Sequence, residues 1–477
     1  METQDKHLIL RIPLLLLVCV VLFSFGVGAV SAADTSGNST IYVSTDGDDT
    51  WDGLSPVYNT TSGPKKTITN ATGTVTVNGT VYIAPGTYTE SGIVIDKDMT
   101  ITGENQKNTI INGQQSGHSI FTIVSGITVN INNLTLTNNT ANTNGGAIYN
   151  KGSLAVTNCT FTNNTANTNG GTIYNDGGRL AVTNCTFTKN TASRYGGAIA
   201  NGEGSLTVIK CTFTNNTIKG TGYGGVIWSY AGSLTVINCT FTNNSAVNGG
   251  AIFTSGGLTV TNCTFTNNSA NYLGGAIFTS GGLTVTNCTF TNNSANYGGG
   301  AIYNIVDDGF SVVVHFNRIV GNSPSNSQIY SQKGIVDARF NWWGSNLNPS
   351  GYVNGNVDVS SWLVLNVTAN PDNIFYGGNS TVSVDLLHDN TGTYHDPVNG
   401  HVPDGIVVDF ASDLGKPVSA VLVNGSATYL FKATTLGSGN ITATVDNQKV
   451  STPITINQAP TGVIVVPVSG FAGQNVA

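Results

Sequence analysis

A Gly-Gly pair recurs along the middle of the chain, with its second glycine at Gly146, Gly171, Gly197, Gly225, Gly250, Gly275 and Gly300. The spacings are 25, 26, 28, 25, 25 and 25 residues. A unit this short cannot bury a hydrophobic face alone, so successive copies must stack as a solenoid. Each copy carries three segments of the type GGAIY, LTV and CTFT, separated by Asn- and Gly-rich turns. Abundant Gly, Asn and Thr, with period-2 alternation inside each segment, exclude helix. Three short strands per coil of about 25 residues, stacked in parallel, describe an all-β chain built on a parallel β-helix.

Side-chain direction explains the most regular copy, LTVTNCTFTNN at 258–268. Leu258 and Val260 point inward and Thr259 outward; a turn at Thr261-Asn262 resets the phase, so Cys263 and Phe265 point in and Thr264 and Thr266 out. Stacked coils superpose identical residues. Phe161, Phe187, Phe213, Phe241, Phe265 and Phe290 should form an aromatic ladder, and Leu154, Leu180, Leu206, Leu234, Leu258 and Leu283 another. Cys159, Cys185, Cys211, Cys239, Cys263 and Cys288 form a third. An even number of cysteines in an exported chain suggests disulfides. However, parallel Cβ atoms a full coil apart, about 4.8 Å, exceed the roughly 3.5–4.5 Å that a disulfide needs. Six buried free thiols acting as small hydrophobes are therefore expected. Asn158, Asn184, Asn238, Asn262 and Asn287, with Lys210 in the third place, should stack at the turn, hiding most Asn-Cys-Thr sequons. The Thr-Phe-Thr triplets, from Thr160/Thr162 to Thr289/Thr291, should make two outward files of hydroxyl and methyl groups. Such a grid is similar to the ice-binding face of β-helical antifreeze proteins, although the strand preference of Thr accounts for the same pattern.

Composition narrows the function. Only 9% of the 477 residues are charged and the net charge is −7, which argues against nucleic acid as a partner. At the N-terminus Lys6, His7 and Arg11 precede an apolar run from Ile12 to Phe25, and Val30-Ser31-Ala32 follows. That is the pattern of a signal peptide over residues 1–32, with an uncleaved anchor as the alternative. Sequons at Asn38, Asn59, Asn78, Asn133, Asn366 and Asn440 suit an exported glycoprotein.

GGAI followed by Phe-x-x-Asn, as in Gly146-Ala147-Ile148 and Phe161 to Asn164, resembles the repeat of polymorphic outer membrane proteins. It also resembles that of adhesin-like surface proteins of methanogenic archaea. IYVSTDGDDTWDGLSP, GPKKTI and VYIAPGTY resemble the opening coils of secreted proteins of the pectate-lyase-like superfamily, and FNWWGSNLNPSG at 340–351 resembles an adhesin-type closing coil. The resemblance implies a right-handed parallel β-helix over residues 33–362, with opening coils at 40–140, regular repeats at about 141–304 and closing coils at 305–362. It further implies cell-surface placement. The C-terminal membrane barrel of the polymorphic proteins has no counterpart here.

Beyond Trp362 the period disappears. VSVDLL, GIVVDFAS, SATYLF and NITATV are short alternating strands, which read as an immunoglobulin-like β-sandwich over 363–457. Residues 458–477, ending AGQNVA, resemble the start of a second, truncated module.

The repeats lack the means for acid–base chemistry, since Asp176 and Glu203 are the only acids between Gly145 and Asn304 and no histidine occurs there. Asp307, Asp308, His315, Arg318, Asp337 and Arg339 on the closing coils are the alternative catalytic set, or simply solvated polar residues. Asp46, Asp48, Asp49 and Asp52 resemble a calcium loop but lack EF-hand spacing. His388, His395 and His401, with Asp389 and Asp396, fall in one loop without a known metal-ligand spacing. The insertion 217–223 lengthens one repeat, and Tyr223 and Tyr230 near it are candidates for stacking on sugar rings; Trp228 is expected in the core. The expected function is a monomeric, non-catalytic, adhesin-like protein, secreted to the cell surface, that binds cell-surface glycans or proteins. It needs no cofactor and meets the membrane only through its secretion signal. The alternative is a secreted polysaccharide lyase or hydrolase.

Overall fold

The computed structural model describes residues 39–307 and 309–459. The signal segment, Asp308 and nearly all of the 458–477 segment lie outside the described residues. From Thr40 the chain winds through about eleven turns of a parallel β-solenoid, each strand pairing in register with its copies one coil before and after. In one turn Ile173–Asp176, Leu180–Thr183, Thr186–Thr188 and Thr191–Ala192 succeed one another round the axis. The first two join a single 22-stranded sheet, the third a 10-stranded sheet and the fourth a 7-stranded sheet. The fourth strand, two residues of the Thr-Ala or Ser-Ala type, is an addition to the three segments read from the sequence.

The turns explain the residue choices. Asn158, Asn184, Lys210, Asn238, Asn262 and Asn287 all sit at φ of 53–54°, a left-handed conformation that Asn tolerates better than most residues. Two details of the expected asparagine stack are corrected. The amides bond one another only from Asn184 to Asn158 (2.7 Å) and from Asn158 to Asn133 (3.2 Å). Asn184, Asn238 and Asn262 are exposed because a left-handed turn throws the side chain outward, so their sequons are not hidden. In the Gly-Gly pair, Gly249 has φ of +63°, and a Cβ on Gly250 would lie 2.1 Å from the carbonyl oxygen of Gly275 in the next coil. One glycine makes the turn; the other lets the coils touch.

Inside, the six phenylalanine rings are buried and nearly parallel, with neighbouring centroids 4.7–4.9 Å apart. Beside them runs a fully buried polar ladder, Asn139, Asn164, Asn190, Asn216, Asn244, Asn268 and Asn293. The Asn244 amide donates to Phe213 O (3.1 Å) and to Asn268 Oδ1 (2.9 Å), while its Oδ1 accepts from Asn216 N (2.9 Å). From Asn164 to Asn293 each member thus closes the turn after Phe-Thr-Asn, or Phe-Thr-Lys before Asn190, and binds the adjacent coils.

Both ends of the solenoid core are dressed. Near the start, the helix Ile68–Thr74 packs Ile68 and Ala71 into the core; Glu90 accepts from Ile68 N and Thr69 N, and Lys97 donates to the carbonyls of Gly73 and Val75. A carboxylate at the helix start and an ammonium at its end both complement the helix dipole. At the other end two adjacent tryptophans point apart: Trp343 joins the solenoid core, and Trp342 is fully buried in the core of the next module. That module is a β-sandwich. A 3-stranded sheet (Leu363–Asn370, Asn379–Asp389, Ser426–Lys432) packs Val382, Val384 and Phe431 against Phe410, Ile441 and Ile454 of a 5-stranded sheet.

Replacing Asn244 with leucine orphans the Asn216 N–H and takes one bond each from the Phe213 carbonyl and Asn268 Oδ1, the latter still accepting from the backbone N–H of residue 244. At about 1–3 kcal/mol for the orphaned group and about 1 kcal/mol for each bond lost, Asn244→Leu is expected to destabilise by roughly 3 kcal/mol, comparable with about 3–5 kcal/mol for Phe241→Ala. Denaturant unfolding of the two variants checks this; a neutral Asn244→Leu would show that the ladder only fills space.

Candidate functional site

The residues proposed as a catalytic set on the closing coils do not form one site. Asp307 is largely exposed and pairs with Lys333 at 3.1 Å, and Asp308 lies outside the described residues. Asp337 is gripped through both oxygens by Arg339 at 2.8 and 2.7 Å, with Asp358 3.6 Å from the same guanidinium. His315 Nε2 lies 2.8 Å from Asp337 Oδ1, but poorly aligned for a hydrogen bond. Burial pushes the Asp337 carboxyl up, yet Arg339 and His315 outweigh it and hold it well below the usual carboxylate range. Such a group is a permanent anion, unsuited to donating a proton.

Arg318 belongs elsewhere. Its guanidinium donates to Asp446 of the sandwich through Nε (3.0 Å) and Nη2 and to Thr291 Oγ1 at 2.8 Å, and Trp342 Nε1 donates to the same carboxylate at 2.7 Å. The Asp446 side chain is only 8% exposed, so a charge from each module is paired inside their junction. Around it Phe316 and Phe340 occupy the turn positions that Asn262 and Asn287 hold in regular coils, at φ of 57° and 59°. Left-handed phenylalanines are outliers, and here they point outward as a pad against which His395 packs, 4.6 Å from the Phe340 ring. The sequence signal was available in Phe316 and Phe340 at asparagine positions, but the partner Asp446 lies 128 residues from Arg318 and no spacing reveals it.

The other candidates are likewise committed locally. Asp48 Oδ1 accepts from Thr50 N and Oγ1, Asp52 Oδ1 from Leu54 N and Ser62 Oγ, and Asp49 from Lys66 N, Thr67 N and Thr67 Oγ1. These are turn-closing bonds, and the structure does not gather Asp46 with them around a common point. His388 pairs with Asp385 (2.8 Å) and His395 with Asp389 (3.1 Å), while His401 bonds the Val402 carbonyl (2.7 Å). Among the described residues no cluster of His, Cys, Asp or Glu is placed to hold a metal ion.

The outer surfaces of the repeats carry few charges, among them exposed Lys151, Asp176, Lys189, Arg194, Glu203, Lys210 and Lys219. Tyr149, Tyr174, Trp228, Phe253, Phe278, Tyr303 and Tyr330 share one outward register position. Trp228 is therefore not in the core; the strand alternation turns it outward, between Tyr195 (4.6 Å) and Tyr230 (5.7 Å). Tyr223 lies between Tyr195 (5.8 Å) and Phe253 (4.9 Å), so other rings flank it on both sides. Tyr230, 60% exposed, has a single stacked neighbour and keeps an open face. On the 10-stranded sheet the Thr-Phe-Thr triplets stand in register, with their threonines partly or fully exposed. The six ladder cysteines are free and buried, each backbone N–H of the first five 3.3–3.4 Å from the next sulfur. Burial pushes the Cys185, Cys211 and Cys263 thiols up, whereas hydrogen bonds from Cys211 and Cys263 pull Cys239 down to about 4; enclosure in the core keeps all six from solvent.

A family model described as right handed beta helix region matches residues 166–342, and one for the Chlamydia polymorphic membrane protein repeat matches residues 133–151. The repeat region is a right-handed parallel β-helix. Among solved structures a rhamnogalacturonan lyase is similar over 68% of this chain and 86% of its own, at 13% identity and a TM-score of 0.38. No curated protein matches the chain.

Two measurements follow. Thiol reagent should react slowly with the folded chain, then titrate the six ladder cysteines once the chain is unfolded without reductant; a count near zero would show disulfides. Asp337, depressed on folding, stabilises the protein above the unfolded carboxyl pKa of about 3.9, and that stabilisation drains away as pH falls toward the lower folded value. The stability gap between wild type and Asp337→Asn, read from urea midpoints, should narrow as pH falls below about 4.

Proposed function

We propose that the chain is a non-catalytic surface-display protein, an adhesin-like rod whose sparsely charged flanks bind glycans or proteins of other cells or of the cell wall. The observation that carries this reading is the distribution of charge. Among the described residues the closing-coil carboxylates Asp307, Asp337 and Asp358 each have a cationic partner, whereas the long outer faces present mostly amides, hydroxyls and aromatic rings with a few scattered charges. Such groups recognise by hydrogen bonding and stacking and have no acid–base pair with which to break a glycosidic bond. The match to a repeat named for Chlamydia polymorphic membrane proteins supports placement outside the cell. In this reading the sandwich, of immunoglobulin-like type, spaces the β-helix from its point of attachment.

The test passes the full chain over immobilised cell-surface polysaccharides and scores retention and release of soluble fragments. Retention without release is the expected outcome. Release by the wild type that disappears in Asp307→Asn or Asp337→Asn would replace this reading with a polysaccharide lyase or hydrolase.

A further inference from the structure

The sandwich also folds back along the β-helix. In its loop 396–404, Val402 is fully buried in the sandwich core, and Gly400 lies so near the Phe316 ring that a Cβ there would come within 2.4 Å of it. The loop is thus seated on both modules. Between it and two adjacent coils is a cleft of about 410 Å³, lined by Asn262, Thr264 and Asn287 on one wall and by His401, Pro403 and Asp404 on the other. Small-ligand sites fall in the range of roughly 300–1,000 Å³.

The lining atoms have bonding capacity left over. Asn184 ties its amide to Asn158, but the side chains of Asn262, Asn287 and Thr264 make no strong hydrogen bond among the described residues. His401 Nδ1 lies 2.7 Å from the Val402 carbonyl, which only accepts, and 3.7 Å from Asp404 Oδ1, so Nδ1 carries a proton. Asp404 Oδ1 accepts from Asn424 N at 2.8 Å, leaving Oδ2. Two amides, a hydroxyl, a carboxylate oxygen and an imidazole, beside the apolar Pro403 ring, match the alternating hydroxyls and C–H faces of a sugar. No lysine or arginine lines the cleft, and Asp404 supplies a carboxylate. An acidic glycan would meet that carboxylate with no lysine or arginine to offset it.

We propose that this cleft binds a short segment of a neutral polysaccharide. The proposal rests on the glycan-binding reading above and names its ligand class and place. The left-handed turns of the wall suggest the variant: Asn262→Gly with Asn287→Gly removes both amides while keeping a residue at ease at φ of 53–54°. The full chain is titrated calorimetrically with cellohexaose, mannohexaose, chitohexaose and hexagalacturonate as probes.

At least one neutral hexaose should bind, hexagalacturonate should bind at least about tenfold more weakly, and the double glycine variant should lose roughly tenfold or more in affinity. Thr264→Val should weaken binding with an unchanged melting temperature. Tighter binding of hexagalacturonate, or affinity lost in Tyr230→Ala but kept in both cleft variants, would overturn the cleft and leave the surface-binding reading standing. Failure to bind every hexaose and every polysaccharide of the panel would overturn both.

Discussion

The structure depends on the superposition of each side chain on its own copy one coil away. Axial repetition at the spacing of parallel strands converts every inward position into a continuous column: phenylalanine on phenylalanine, cysteine on cysteine, asparagine on asparagine. The apolar columns supply burial, while the asparagine column satisfies backbone groups that the turn would otherwise leave orphaned inside the core. Because each coil supplies the partners of the next, the ladder is cooperative along the axis and its ends are where it is vulnerable. The ends are accordingly the irregular parts: a charged-capped helix at the start, and paired tryptophans with a second module at the finish.

The same repetition shapes the outside. A residue that points outward in one coil points outward in all, so the surface is a set of uniform files rather than a pocket with convergent groups. Stacked aromatic rings in such a file cover one another's faces, which removes most of them as sugar platforms and leaves Tyr230 as an exception. Convergence arises where the repetition is broken, at the junction with the sandwich. There Asp446 takes Arg318 and Trp342 at once, and loop 396–404 turns an otherwise open file of asparagines and threonines into one wall of a cleft.

The sequence was most legible where the repeat was strictest. Inward Leu, Val, Cys and Phe follow from two-residue alternation, and the turn that resets it is visible between Val260 and Cys263. The buried asparagine ladder was missed, although Asn244 and its copies recur as faithfully as the phenylalanines, because a polar residue after Phe-Thr-Asn reads as a solvated turn. Trp228 was misplaced because the position it shares with Tyr149 and Phe253 reads as inward, whereas strand phase turns that position outward. The closing-coil carboxylates looked like one constellation because they are near in sequence; Asp337, Asp307 and Arg318 each face a different partner.

The sequence by itself determined the solenoid, its coil length and the inside–outside assignment of most repeat positions, because these depend on local alternation and on a period that any stacked copy must obey. Only the tertiary structure decided how the rod ends, which charges are paired and where polar groups converge. Those depend on bringing together residues more than a hundred positions apart, Arg318 and Asp446 as an ion pair and Asn262 and His401 as walls of one cleft, which no local pattern encodes.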